Sequence, residues 1–442
     1  MSTGISFSGL ATGVDTNSIV ERLMQLERQP IRNVERDKAT VQSRRSVVQE
    51  INNLLKTLRD KARVLLDAST FKLATATSTD GAVATATADS TAAAGSYNVV
   101  VTALSKAHTL ASAAAPPLSD DVLHVTVGST TVDVAVSGSG TLQDVADAIN
   151  GASGTPVSAS VVNNKLVLIS RTTGAAGAIT VTSDGGLAGA LGFTTTQAAQ
   201  DAAATVNGLA VTSSGNTISG AIAGVTLTLA KEGATVVNVG LDGKTIEAKV
   251  KEFVDAYNAV VDNVRAATKY DAATKTKGTL QGDQTLTAFL GQLRGLAGSA
   301  VGSLSGQAYD SLARIGITTS SDRSGKLVLD SAAFRAALAA DADAVRDVFA
   351  ADDGDATADG DDGVAVRIAD LADSFATDVL AARLQGFTDQ LSRMDKKIAD
   401  LEVVLDLREK RLRAQFAAME KAVATFRAQG AELLARLGLP SA

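Results

Sequence analysis

Every seventh residue from Leu384 is apolar: Leu384, Leu391, Ile398, Leu405, Leu412, Met419, Phe426 and Leu433. A stripe held in register that long predicts one amphipathic helix, from about Val379 to Leu437. Its companion seam lies three residues on in the first half (Phe387, Met394, Leu401) and four on in the second (Phe416, Val423, Leu437), with Arg408 and Gln415 where the first would continue. An undistorted helix drifts about 20° per heptad, and the shift follows that drift. The stripe therefore suits a nearly straight helix against a partner, loose beyond Arg408 until something holds it. The same step at the other end of the chain gives Val34, Val41, Val48, Leu55 and Ala62, with Ile51, Leu58 and Leu65 three residues later. Two long helices thus bracket everything else, and a helical bundle is the plainest use for them.

Residues 2–14 carry Gly4, Gly9 and Gly13 among small polar residues, a composition that does not stay ordered alone. At Asp15 or Thr16 a helix cap appears, followed by Ile19, Leu23 and Leu26 at helical spacing. Pro30 removes a backbone donor and constrains Gln29, so a first helix ends there and a second runs from Ile31 to Asp67. After Thr70 the pattern alternates in short Ala-, Thr- and Ser-rich runs, which predict strands. Tyr97–Thr102 is the first firm one, and Pro116-Pro117 marks a boundary. Leu123–Val127 with Thr131–Val136, and Val157–Val162 with Lys165–Ser170 around Asn163-Asn164, read as hairpins. Thr141 and Asp144 form a capping box opening a short helix between them. Ile179–Thr182 is a further strand, Val206–Val211 a tight hairpin, and Val225–Leu229 is expected to pair with Val236–Val239. From Asp242 the helical period returns through Phe253, Tyr257 and Val264; Asp283 caps another helix, a hairpin turns on Asp322–Gly325, and Asp330 caps a further helix.

Composition narrows the chemistry. The 442 residues are too many for one core. Hydrophobic residues make up 45% but aromatics only 3%, so Ala, Val, Leu and Ile must build the cores. The chain has no Cys, which removes disulfides, thiolate ligands and a Cys nucleophile. A net charge of -7 argues against a general nucleic-acid binder. No apolar run approaches the ~18 residues of a membrane span, and the N-terminus carries neither basic leader nor apolar signal core, so any export is expected by a route that cleaves nothing. Of the two histidines, His108 and His124, His124 alternates with Leu123 and Val125 in a predicted strand and is expected to face solvent. Gly138-Ser139-Gly140 lacks the Lys-Ser/Thr end of a phosphate loop and reads as a turn. Asp352–Gly363 aligns as a calcium loop at Asp355, Thr357, Asp359 and Gly360, but Val366 stands where the bidentate Glu belongs, so a solvated acidic linker is expected. No nucleophile with a base appears, and neither catalytic residues, metal nor cofactor is expected.

The ungapped run from Ser8-Gly9-Leu10-Ala11-Thr12-Gly13-Val14-Asp15 to Arg28-Gln29-Pro30 resembles the N-terminal signature of the bacterial flagellar filament cap family, also called hook-associated protein 2. Leu142–Asn150 with the Val157–Ser170 hairpin resembles the small repeat of flagellins and caps. Phe253–Val261, Ile315–Thr318 and Gln415–Glu420 are similar to the same family. The resemblance covers essentially the whole chain and is weakest over 112–200. It implies an α+β, multidomain fold, with terminal helices forming a coiled-coil leg and helical bundle and two nested antiparallel β-rich domains inserted between them. The parts are a leg of 1–40 with 410–442, a helical domain of 41–72 with 242–409, an outer β-rich domain of 73–111 with 201–241, and an inserted one of 112–200. It further implies a ring-shaped homo-oligomer at the filament tip, in contact with flagellin and the hook-filament junction protein. Export would run unfolded through the flagellar type III apparatus, with a chaperone on the C-terminal helix.

On that reading Leu10, Asp15, Ile19, Leu23, Leu26, Ile31 and Val34 pair with Phe416, Met419, Val423, Phe426 and Leu433 as the leg interface. Val48, Ile51, Leu55, Leu58, Leu384, Leu391, Ile398, Leu405, Phe253 and Tyr257 form the helical core. Two alternatives stand beside it. The chain is another axial protein, a flagellin or the junction protein, against which the Asp15–Pro30 signature argues. Or its β domains bind host glycans as an adhesin, although no aromatic sugar platform is present.

Overall fold

The computed structural model describes residues 15–113, 117–271, 275–352, 354 and 358–436. It opens with helices α1 (Thr16–Glu27) and α2 (Gln29–Val64). Strands β1 (Ala74–Ser78), β2 (Ala84–Ala88), β3 (Gly95–Ala103), β4 (Ala107–Ala111), β5 (Asp121–Val127) and β6 (Thr130–Val136) follow. Helix α3 (Leu142–Gly151) leads to β7 (Val157–Val162), β8 (Lys165–Thr173) and β9 (Ile179–Ser183). Beyond α4 (Leu187–Leu191) come β10 (Thr194–Gln197), β11 (Ala202–Val206), β12 (Leu209–Ser213), β13 (Thr217–Ile222), β14 (Val225–Leu229) and β15 (Gly233–Leu241). Then α5 (Gly243–Thr268), the small hairpin β16 (Tyr270–Asp271) and β17 (Thr276–Lys277), α6 (Gln284–Gly298), and the hairpin β18 (Ile317–Thr319) and β19 (Leu327–Leu329). Helices α7 (Ser331–Ala340), α8 (Ala342–Ala350), α9 (Val364–Ser374) and α10 (Ala381–Arg436) complete the chain.

Two compact units emerge. The helical one takes residues up to 66, 250–330 and from 347 onward. Its centre is the heptad face of α2: Val48, Ile51, Leu55 and Leu58 are completely buried. They pack against α9 and the first half of α10. Phe253, Tyr257, Val260 and Val264 of α5 are equally buried, and Phe253 meets Phe349 edge-on at 6.3 Å. Asn258 shows why polar residues interrupt that apolar face. Its carboxamide bonds both the Leu327 amide (2.7 Å) and the Leu327 carbonyl (2.8 Å), fixing β19 on the helix. Burial pushes the neighbouring Tyr257 hydroxyl up to about 12, and it donates to the Gly325 carbonyl at 3.2 Å. Asp283 caps α6 by accepting from the Leu286 amide at 3.2 Å. Helix α10 is entered from α9 through a π-helical turn, Phe375–Leu380, where Phe375 stacks on Phe289 at 4.2 Å. The helical path therefore runs on from α9, and α10 itself starts two residues after the expected Val379.

The β-rich unit comprises 67–249 and 331–346. It contains two separate apolar clusters. One lies between the sheet β1-β15-β3-β11-β12 and the sheet β13-β14-β2, with Val99, Val101, Leu227 and Val237 at its centre. The other lies between β10-β4-β8-β7 and β6-β5-β9, closed by α3 and α4, with Leu123, Ile149, Leu166 and Leu191 completely buried. Thr141 and Asp144 make the reciprocal capping box that starts α3. Asn163 (φ 48°) and Asn164 (φ 55°) adopt the left-handed conformation that a two-residue hairpin requires. The Gly138-Ser139-Gly140 stretch is a turn, its Gly138 amide bonded to Asp120 at 2.8 Å.

The strand pairing corrects two expectations. Strand β14 does not pair with β15: it lies between β13 and β2, while β15 lies between β1 and β3. Adjacent strands here belong to different sheets of one sandwich, so the connection crosses the core instead of turning within a ladder. Strand β4, assigned to the outer region, pairs with β8 and β10 and places Leu110 in the inner cluster. The inserted sheets thus begin before residue 112. The helix expected after Asp330 is α7, and a second, α8, follows it directly.

Candidate functional site

The site that the sequence singles out is the pairing of the terminal helices. Helix α1 starts where Asp15 accepts from the Ser18 amide at 3.1 Å, and the Ser18 hydroxyl and amide hold the Asp15 carboxyl below its ordinary range. The break between α1 and α2 falls at Arg28, two residues before Pro30. Pro30 sits in the first turn of α2, where the missing N–H is an orphan anyway, so proline begins the second helix and does not end the first.

Helix α1 buries Thr16, Val20 and Met24, an i, i+4 row. Val20 and Met24, with Ile31 and Leu405, make an apolar cluster onto which Ile398, Leu401, Leu412 and Phe416 pack half-buried. Around it run exposed polar contacts: Glu27 with Arg408, Lys38 with Asp395, and Asn17 with Arg413 at 3.4 Å. Such pairs fix register more than they stabilise, each worth ~0–1 kcal/mol. A helix of 12 residues is marginal alone, so the order of α1 depends on this one seam.

The structure distributes the proposed leg residues unevenly. Ile31 and Val34 are buried, Ile19, Phe416 and Val423 are half-buried, and Asp15 is exposed as the helix cap. Leu23 and Leu26, expected to face α10, are 38% and 65% exposed, because Val20 and Met24 take the inward positions. Met419, Phe426 and Leu433 are 41%, 71% and 63% exposed. Leu10 lies outside the described residues. Of the proposed helical core, Leu391 and Leu405 are buried, while Leu384 and Ile398 are half-buried at the rim. Helix α10 carries a further apolar group off its heptad seam, Val403, Val404 and Leu407, all more than half exposed.

A cleft of about 470 Å³ in the helical unit is lined by Arg44, Asp283, Arg383 and Phe387. Asp283 there already caps α6 and pairs with Arg383, whose guanidinium lies 5.8 Å from the Phe387 ring. Among the described residues no group of His, Asp or Glu is arranged to hold a metal, and no helix is long and apolar enough to cross a membrane. In the acidic loop Asp355 and Thr357 lie outside the described residues. The Asp362 carboxylate is 3% exposed, with its Oδ2 accepting from the Asp359 amide at 3.0 Å.

Long terminal helices bracketing two β sandwiches are the architecture that the terminal signature implied. The profile for the flagellar hook-associated protein 2 C-terminus matches residues 199–428, more than half of the chain. The chain belongs to the flagellar hook-associated protein 2 family. The profile for that family's N-terminus matches residues 12–108, and a flagellin hook IN motif matches 122–172, the hairpins and α3 of the inserted sheets. Flagellar hook-associated protein 2 of Escherichia coli is 28% identical over 454 aligned positions, covering 94% of each chain. The B-type flagellar hook-associated protein 2 of Pseudomonas aeruginosa is 27% identical, over 92% of this chain and 93% of that one. The crystal structure of three domains of the flagellar cap protein FliD from Escherichia coli superposes with a TM-score of 0.58 at 31% identity, over 77% of this chain and 99% of that one.

Proposed function

We propose that this hook-associated protein 2 chain caps the distal end of the bacterial flagellar filament, where it promotes folding and insertion of exported flagellin and prevents its loss. The observation that carries the mechanism is the two-part stripe of α10. Its first half is spent within the chain, against α2 and α1. Beyond Phe416 the apolar positions Met419, Phe426 and Leu433 are exposed, as Leu23 and Leu26 are on α1. Contacts of that kind are individually weak and collectively firm, so a leg can hold the filament end and yield stepwise as each subunit enters.

On this reading the leg comprises 1–40 with 410–442, the helical domain 41–72 with 242–409, and the two sandwiches form the plate of a homo-oligomeric ring. The two separate apolar clusters of the β-rich unit support that division. The hook-filament junction protein is the neighbour at first assembly. An export chaperone would cover the α10 stripe before passage through the type III apparatus, and the exposed Phe426 and Leu433 are what it would shield. The role is structural and not enzymatic. Glycan binding by the sandwiches is the lesser reading, since residues 73–241 hold two aromatic residues, Tyr97 and Phe193, and each packs against an apolar cluster.

In a strain whose own gene for this chain is deleted, swimming should be lost and flagellin should accumulate in the medium, and expression of the full chain should reverse both. Normal filaments in the deleted strain would contradict the proposal.

A further inference from the structure

Leu209 stands 75% exposed, more than Phe426 on the leg, yet it belongs to a core-facing row. It opens β12 directly opposite Val206, which is buried in the outer sandwich. Val211, opposite the buried Ala204, packs half-buried on the same apolar cluster. Cross-strand partners share one face of a sheet, so β12 carries the inner face of its sheet out past the cover that the opposing sheet gives. The two-residue loop Asn207-Gly208, both residues at positive φ, makes Val206 and Leu209 a hydrogen-bonded pair, and such pairs alternate along the ladder with non-bonded ones. The backbone groups of Leu209, Val211 and Ser213 therefore turn toward β11. Those of Ala210 and Thr212 turn away from it, on the outer edge of the sheet β1-β15-β3-β11-β12, where both residues are exposed. Among the described residues no backbone hydrogen bond from another element reaches them.

Other edges of the β-rich unit are blunted. On β7 the Asn150 carboxamide takes up the outward groups of Ala159, accepting from its amide at 2.9 Å and donating to its carbonyl at 2.7 Å. Strand β6 carries the charge of Asp133. The ladders of β10 and β13 are irregular, between Thr195 and Gln197 and between Ser219 and Ile222. Strands β1 and β2 lie beside each other, and β9 begins with its Ile179 amide bonded to His108 and ends at Asp184. Strand β12 has none of these devices. Its ladder with β11 runs without a shift, and no charged residue stands between Asp201 and Lys231.

We propose that β12 is a strand-addition site for a second copy of this chain, β12 against β12, antiparallel about a two-fold axis at Val211. In that register Ala210 of each copy faces Thr212 of the other, and each such pair exchanges both of its N–H···O bonds. Val211 meets its own duplicate in the non-bonded position, where side chains come closest, and Leu209 reaches over Ser213 of the other copy. The joined sheets thereby cover Leu209 and Val211, which one chain leaves open. Neutrality selects this occupant: a strand laid on its own duplicate sets like charges near each other unless it has none, and β12 has none. A two-fold contact of this kind is isologous, whereas a ring closes head to tail, so β12 adds a surface beyond the cap reading and apart from the leg.

The chain has no Cys, so one introduced thiol reports on one contact. Under mild oxidation the full chain with Val211→Cys should form a disulfide-linked dimer about tenfold faster than the chain with Ser160→Cys, on the β7 edge that Asn150 covers. Ser160 is the more exposed of the two, so accessibility alone predicts the reverse order. Adding Thr212→Pro removes an N–H that faces away from β11, a change that an edge strand tolerates. It should slow the Val211→Cys reaction about tenfold, because each copy loses one of the bonds between them. Ala210→Pro makes the same change at the other outward position and serves if the first variant fails to fold by circular dichroism. Equal rates at Val211→Cys and Ser160→Cys overturn the proposal, as does a folded proline variant that links as fast as its parent. Purified flagellin that shields Val211→Cys from alkylation, with no linked dimer from the chain alone, overturns it too and assigns the edge to another chain. None of these readouts uses motility, so their failure is distinct from failure of the cap reading.

Discussion

At the scale of single residues, the leg turns on which apolar side chains of α1 face inward. Val20 and Met24 do, at 2% and 6% exposure, while Leu26 stands 65% exposed two residues further along. Met24→Ala should therefore loosen α1, costing about 2 kcal/mol, the low end for a core truncation because the cluster is small. Leu26→Ala should change stability by less than about 0.5 kcal/mol and yet impair swimming. Amide exchange in α1 measures the first and a soft-agar assay the second. Asp15→Ala should raise exchange in the first turn of α1 only, through loss of the helix cap. Asp322, in the β18–β19 turn, is held at about 2 by the Ser324 hydroxyl and amide. Its contribution should be present above its ordinary value and fade as pH falls through about 2, which an NMR titration of its carboxyl checks. The apolar spacing in Thr16–Glu27 fits two adjacent helix faces, Ile19-Leu23-Leu26 and Thr16-Val20-Met24. Periodicity locates a stripe to within such a step, and only the partner, here Leu405 and its neighbours, selects the face.

Between elements, the long helices were legible because one partner serves many turns. Val48 to Leu58 face α9 and α10 over their whole length, and the register survives every local irregularity. Leu55→Ala should cost about 2–5 kcal/mol in urea unfolding of the helical unit, whereas Phe426→Asp should leave that transition unmoved while shortening filaments. Equal unfolding midpoints for the two variants would contradict the division of α10 into a spent and an available half. Hairpins closed by Asn163-Asn164 and Asn207-Gly208 were equally readable, since two-residue loops fix their own pairing. The partner of β14 was not. Lys231-Glu232-Gly233 resembles a hairpin turn, and whether a short link closes a ladder or crosses a sandwich depends on the distant β2 and β13. The bond from the Ile179 amide to His108 Nδ1 is illegible for the same reason, its partners standing 71 positions apart.

In the whole molecule the cores are closed while the terminal helices keep exposed apolar side chains. Both sandwiches and the helical bundle close their own cores, with Leu123, Leu227 and Leu55 alike at 0% exposure. The terminal helices keep apolar side chains in hand. Composition already pointed there, because a chain with 3% aromatics and no Cys offers little chemistry besides burial and assembly. Light scattering across concentration should accordingly show self-association that weakens when residues beyond 410 are removed. The most direct test is to express the chain without residues 1–30 in the deleted strain. A protein that is folded by circular dichroism, with motionless cells and flagellin shed into the medium, is the predicted result. Normal swimming with that truncated chain would contradict the leg as the part that holds the filament end.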